Sequence, residues 1–200
     1  MNSPEPAIID QKRAQRQAMR GQIMEVNRAE RAESAGQAIS LLTSQPIWKS
    51  SRTVLLVNPL PDELDLSPLF QIALDAGKTV CAPGYDPEST HYRPLLVENL
   101  GRDLVAGKYG ILEPASDCPE LPLKALDFLL VPGLAFDTAG CRLGRGKGHY
   151  DRLLSEAVGW KCGFGYGFQV LPRVPTEPHD IKLDSILTPV RWIVPCHPRS

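Results

Sequence analysis

Residues 142 to 154 read RLGRGKGHYDRLL, which places three glycines, three arginines and one lysine in thirteen positions. Glycines at alternate positions let backbone N–H groups turn toward a common point and let an anion approach closely. A helix starting just beyond adds the partial positive charge of its N-terminus. Arg142, Arg145 and Lys147 set full charges around that point. Such a stretch suits the holding of phosphate, above all that of a nucleotide. Spacing and composition leave a second reading open, a solvated basic turn. Asp151 bears on the choice. Beside a phosphate cradle it would serve Mg2+ or orient a basic side chain, and in a plain helix start it is a first-turn acid favoured by the dipole.

The stretch fits neither of two common phosphate motifs. A Walker A loop needs two glycines separated by four residues and then Lys-Ser or Lys-Thr. Here Gly140 and Gly146 are separated by five, and Gly148 follows Lys147. The dinucleotide fingerprint fails because the glycines fall at 144, 146 and 148.

The elements that must position this loop alternate along the chain. Residues 8 to 43 lack internal proline and are rich in Ala, Gln, Arg and Glu, which predicts two helices meeting near Val26 and Asn27. Asn27 is the expected N-cap, with Glu30 completing a capping box. TVLLV (53–57) reads as a buried strand. SPLFQIALDAG (67–77) reads as a helix with Ser67 as cap and Gly77 as stop, and KTVCAP (78–83) as the next strand. Strand, helix and strand in that order predict a parallel pair. Residues 84 to 126 predict loops and short edge pieces such as HYRPLLV (91–97). DFLLV (127–131) is the expected central strand, followed by a helix over 148–158 and further strands in WKCGFGYG, DSILT and RWIVP. The fold class that results is a three-layer α/β/α sandwich with a mainly parallel central sheet and N-terminal helices, in one domain over residues 1–200.

Bulk properties narrow the function. With 42% hydrophobic and 22% charged residues the chain can bury a core, and its net charge of -1 gives no global field for nucleic acid or an anionic membrane. Five scattered cysteines without a C-x-x-C spacing read as reduced thiols rather than a zinc site or a disulfide framework. No stretch has the pattern of a signal peptide or the length of a membrane span, so the expected location is the cytoplasm.

LLVPGLAFDTAGCRLGRGKGHYDRLL resembles the signature of the 5-formyltetrahydrofolate cyclo-ligase (5,10-methenyltetrahydrofolate synthetase) family, whose usual form is VPG-x-x-FD-x-x-G-x-RLG-x-G-x-GYYD. KRAQR (12–16), DELDLSPL (62–69), GKYGILEP (107–114) and VPTEPHDIKLDSILT (174–188) are similar to further motifs of that family, so the resemblance runs from about Lys12 to Thr188. It implies ATP- and Mg2+-dependent conversion of 5-formyltetrahydrofolate to 5,10-methenyltetrahydrofolate, with ATP and a reduced folate as the partners and a monomer as the expected state.

Carried onto this sequence, the resemblance implies that Gly144, Arg145, Gly146, Lys147, Gly148, His149 and Tyr150 wrap the ATP phosphates. Lys147, Arg145 and Arg142 carry the catalytic charge, Arg142 also anchors the loop, and Lys12 and Arg16 reach the nucleotide from the first helix. Asp151 and Asp180 would share Mg2+. Glu63 would contact the pterin, Tyr85 and Tyr109 would wall the folate, and Phe136 would pack under the loop. Two departures stand out: His149 replaces the first Tyr of the usual Tyr-Tyr pair, and Asn58, Pro59 and Pro61 replace the more usual small polar residues after the first strand. Alternatives to the resemblance are a paralogue acting on another formyl or carboxamide compound, a non-catalytic nucleotide-binding module, and nucleic-acid binding through KRAQRQAMR. The last is disfavoured by the short basic run and the slightly acidic chain.

Overall fold

A computed structural model describes residues 7–107, 110–146 and 148–196; Tyr109 and Lys147 therefore lie outside the described residues. Two helices, α1 (Ile8–Glu25) and α2 (Arg28–Ser44), meet at Asn27, whose side chain accepts from Glu30 N while the Glu30 carboxylate accepts from Asn27 N. That reciprocal pair satisfies two N–H groups that a helix start otherwise leaves open. A short helix α3 (Pro46–Ser50), not expected from the sequence, puts Trp48 into the core.

The strand β1 (Thr53–Leu55), the helix α4 (Pro68–Asp75) and the strand β2 (Thr79–Asp86) form the expected unit, with β1 and β2 parallel. Two details differ from the sequence reading. β1 stops two residues early, although Leu56 N still donates to Cys81 O at 2.9 Å, because Pro59 and Pro61 soon turn the chain away. Ser67 stands at the N-cap of α4 without capping it: its hydroxyl donates to Asp65 instead, at 2.6 Å.

Next, β3 (His91–Leu96) pairs antiparallel with β2 through six residues, a longer hairpin than the short edge pieces expected from its prolines. Pro94 fits because β3 is a sheet edge. A one-turn helix α5 (Leu100–Asp103) leads to a small hairpin, β4 (Leu104–Ala106) with β5 (Leu112–Pro114). The expected central strand is β6 (Phe128–Pro132). Beyond it lie β7 (Ala135–Asp137), β8 (Arg142–Leu143), α6 (His149–Glu156), β9 (Trp160–Phe164), β10 (Val170–Leu171), β11 (Ser185–Leu187) and β12 (Trp192–Ile193).

The main sheet runs β12-β11-β9-β6-β1-β2-β3, parallel from β11 to β2, with an antiparallel strand at each edge. Residues of β6 alternate between its two faces. Phe128 and Leu130 pack with Leu42 of α2, Trp48 and Phe70 of α4, whereas Leu129 and Val131 pack with Leu153 and Leu154 of α6. Period-two patterning with helices on both sides gives the three layers. A second, smaller sheet, β10-β7-β8, carries a core of its own, in which Met19 and Ile23 of α1 cover Leu134, Ala135 and Leu143. Among the described residues no helix is long and apolar enough to cross a membrane, and all five cysteines are unpaired thiols.

Candidate active site

The chain leaves β1 toward β2 on one side of the sheet and leaves β6 toward β9 on the other. The crevice beyond the carboxyl ends of β1 and β6 is thus the switch point of the sheet, where ligands of open α/β folds bind. Two segments overhang it: residues 56–67 after β1, and residues 133–148 after β6, which contain β7, β8 and the glycine loop.

The glycines differ in what they do. Gly146 and Gly148 have φ of +103° and +67°, a region that L side chains rarely adopt, and Gly148 is the N-cap of α6. Gly144 is needed for space, because a Cβ there would stand 2.9 Å from Arg142 Nη1. Arg16 of α1 donates from Nε to Gly144 O at 2.9 Å, which ties the first helix to the loop.

Arg142 is set apart from the other basic residues of the stretch. It lies in β8 rather than on the loop and is buried. Its guanidinium donates to Pro132 O at 3.2 Å and to Asp151 Oδ1 at 2.7 Å, and it stands 5.8 Å from the centre of the Tyr150 ring. It anchors the loop, and its contacts face the protein interior. Phe136 packs under the loop, where the sequence reading put it. It is fully buried and packs on glycines: a Cβ at Gly133, Gly163 or Gly165 would meet its ring at 2.8, 2.7 or 3.2 Å. Phe136 is core under the loop and presents no face to a ligand.

Arg145 does reach the crevice, and it meets the other segment there. It donates to Glu63 Oε1 from Nε at 3.1 Å and from Nη2 at 3.0 Å, and to Asp62 Oδ1 from Nη2 at 2.8 Å. Burial raises the Glu63 carboxyl above its ordinary value, against the pull of Arg145 and of the Leu60 N–H. On Arg145, burial works the other way, and the two carboxylates outweigh it to raise the guanidinium further.

At the far end of α1, Lys12 is buried and donates to Asp180 at 2.7 Å and to Glu177 at 2.8 Å. Asp180 also accepts from Glu177 N at 2.7 Å. The structure thus gives Asp151 and Asp180 different basic partners, and among the described residues no group of three or more His, Cys, Asp or Glu gathers as a metal cage. Mg2+ asks for less, since it is usually held by one or two carboxylates together with substrate phosphates and water. Asp151 fits that role. It follows the glycine loop directly, its side chain is 25% exposed, and only Oδ1 is taken up by Arg142. Asp180 fits it less well, because its Oδ2 already takes both the Lys12 ammonium and Glu177 N and its side chain is less exposed than that of Asp151.

An aromatic group stands on the other side of α6. Tyr85 and Tyr92 are register partners on β2 and β3, with ring centres 5.7 Å apart. His149 lies 5.2 Å from Tyr85 and 5.5 Å from Tyr92, and Tyr150 lies 5.4 Å from Tyr92. Arg152 Nη2 is 3.0 Å from His149 Nδ1; a guanidinium can only donate, so Nδ1 accepts and a neutral ring carries its proton on Nε2. A cavity of about 60 Å³ opens between this group and the β4–β5 hairpin, lined by Val57, Asn58, Tyr92, Leu112, Pro114 and Tyr150. Tyr85 is partly exposed, as a ligand wall must be.

Sequence reasoning did not single out Asp62, Tyr92, Glu177 or Asp137. Asp62 was signalled only by its place beside Glu63, and Tyr92 only by alternation along a strand that reads weakly. Asp137 is buried and accepts from Ala139 N, Cys141 N and Val174 N, at 3.0, 3.0 and 2.9 Å, so it fixes the turn between β7 and β8 and the segment over it.

Sheet order, crevice and glycine loop together define a doubly wound α/β protein whose basic loop lies at the switch point. The chain belongs to the 5-formyltetrahydrofolate cyclo-ligase family, whose family model matches residues 8–189, and is an enzyme of that family. It is 34% identical over 161 residues to the 5-formyltetrahydrofolate cyclo-ligase of Escherichia coli K12, covering 78% of this chain and 88% of that one. It is 29% identical over 188 residues to the mouse cyclo-ligase, covering 85% and 93%. The solved structure of the 5,10-methenyltetrahydrofolate synthetase of Aquifex aeolicus superposes with a TM-score of 0.84 at 34% identity, covering 94% of this chain and 95% of that one.

Proposed function

We propose that this chain, acting as one unit over residues 1–200, converts 5-formyltetrahydrofolate to 5,10-methenyltetrahydrofolate with ATP and Mg2+, releasing ADP and phosphate. The observation that carries the reading is the Arg145 link: it sets the basic glycine loop directly against the acidic segment after β1. A phosphate subsite and a subsite for a heterocycle rich in N–H groups would then share one crevice.

The chemistry explains why two subsites are needed. A formamide oxygen leaves poorly, so the γ-phosphoryl group is transferred to it first. The N10 amine then attacks the formyl carbon, the C–O bond breaks, and phosphate departs with the oxygen as the ring closes. Protein groups act here mainly by placing charge where the transferred phosphoryl develops it. Arg145, Lys147 and the N-terminus of α6 would supply that charge, and Arg142 would hold the loop in place through Asp151. Arg16 and Lys12 would act from α1, the first by fixing Gly144 and the second by fixing the segment that bears Asp180. Glu63 would accept hydrogen bonds from the pterin, with Tyr85 and Tyr109 as walls. Bound Mg2+, held on the protein side by Asp151, would neutralise phosphate charge. The unpaired cysteines fit a reducing compartment such as the cytoplasm.

The test is a spectrophotometric assay of purified protein with 5-formyltetrahydrofolate and Mg2+, with and without ATP, following the near-ultraviolet band of the methenyl product. Growth of the band only with ATP, and its loss in Lys147→Ala, is the expected result. No band, with ATP binding still measurable by calorimetry, would overturn the substrate and favour a different formyl or carboxamide compound, for which Asn58, Pro59 and Pro61 would be the first residues to examine.

A further inference from the structure

Among the described residues, the side-chain hydrogen bonds that join the segment after β1 to the glycine loop are ionic. Arg145 places Nε and Nη2 on Glu63 and Nη2 on Asp62, and Glu63 is tied to its own segment by Leu60 N, which donates to Oε2 at 3.0 Å. The Glu63 side chain is 10% exposed and that of Arg145 31%, so the link is shielded on one side and reachable from the crevice on the other. A guanidinium engaged in this way presents fewer donors to a phosphate. A carboxylate engaged in this way presents fewer lone pairs to an N–H-bearing ligand.

We propose that Arg145 and the Asp62–Glu63 pair form a clamp that couples the two halves of the crevice, so that a phosphate ligand at the glycine loop and a heterocyclic ligand at Glu63 each favour the binding of the other. The choice of a reduced folate as the second ligand rests on the functional reading above; the clamp itself does not. A phosphate arriving at the loop draws Arg145 off the carboxylates and leaves Glu63 free. A pterin arriving at Glu63 releases Arg145 in the same way. Whichever ligand comes first bears the cost of parting the link, and the second finds it already parted. Linkage makes the gain equal in both directions. Asp62 contacts neither ligand in this scheme. It is a positioning residue that steadies Arg145 in the closed arrangement.

The experiment is calorimetry on the full chain with two probes, a non-hydrolysable ATP analogue with Mg2+ and 5-formyltetrahydrofolate, each titrated alone and in the presence of the other. In the unaltered chain each probe tightens the other by the same factor, on the order of 10-fold. Arg145→Gln weakens the analogue and brings the factor to one. Asp62→Asn tightens the analogue alone and lowers the factor. A factor of one in the unaltered chain, or a factor unchanged in Arg145→Gln, overturns the clamp.

If the folate gives no binding at all, the functional reading fails and the analogue still decides the clamp. Asp62→Asn should tighten the analogue when Arg145 is present and leave it unchanged when Arg145→Gln is combined with it. Equal tightening in both backgrounds would mean a general effect of removing negative charge and would overturn the clamp.

Discussion

The guanidinium of Arg142 lies 2.7 Å from the Asp151 carboxylate, joining the strand before the glycine loop to the first turn of the helix after it. The arginine side chain is 4% exposed, so Asp151→Ala leaves a buried cation with the Pro132 carbonyl and the face of the Tyr150 ring but no counter-charge among its described contacts. We expect a loss of about 3 kcal/mol in urea unfolding, at the lower end for a broken buried pair because Asp151 itself reaches solvent. Arg142→Met should cost less, since the carboxylate left behind can hydrate. Equal stability of Asp151→Ala and the unaltered chain would contradict the anchoring role.

Lys12 and Asp180 define a pH window. Burial pushes the Asp180 carboxyl up, but hydrogen bonds from Lys12 and from Glu177 N outweigh it and hold the group below its ordinary 3.8. The unfolded chain therefore takes up the proton first, and the stability from this carboxylate is present above pH 3.8 and lost as pH falls through the folded value. Burial lowers Lys12, and its two carboxylate partners outweigh that to raise it above 10.5, so its contribution is present below pH 10.5 and lost as pH rises through the folded value. The difference in Tm between the unaltered chain and Lys12→Met should be flat near neutral pH and shrink in acid. A difference that grows in acid would refute the pairing.

Phe136→Ala should act on stability alone. Removing a fully buried ring that packs on three glycines costs about 3–5 kcal/mol. Among molecules that remain folded, folate affinity should be unchanged. A large rise in KM without a fall in Tm would instead place the Phe136 ring against a ligand.

Gly148→Ala meets no atom within 4 Å, so its cost is the left-handed backbone alone, about 1–2 kcal/mol. Gly146→Ala should disturb more, because a φ of +103° lies outside the left-handed helical well. Thermal melts of the two variants should rank in that order, and nucleotide affinity should fall further for Gly146→Ala.

Much of the layer order was legible before any coordinates. The Asn27 capping box, the glycine stop after α4 and the apolar run of β6 are local signals that tertiary packing did not need to override. The small sheet was not legible, because β8 and β10 are two residues each and their pairing depends on contacts across the chain. At the site, partners did not follow from residue type. Arg142 and Arg145 stand three apart in one basic stretch, yet one faces the interior and the other the crevice, a difference fixed by the two-residue strand that holds Arg142. Glu63 and Arg145 read as servants of different ligands, and their contact across 82 positions has no local trace.

The first helix can settle only after residues 173–180 have been made. Its Lys12 and Gln15 hold residues 173, 177 and 180, and Met19 and Ile23 close over Val174 and the small sheet. At a ribosomal pace of about 5–20 residues per second, the 168 positions between Lys12 and Asp180 correspond to roughly 8–34 s. Through that interval the apolar stripe of α1 waits uncovered, and a nascent chain cut short before residue 173 would leave Met19 and Ile23 without the Val174 part of their cover.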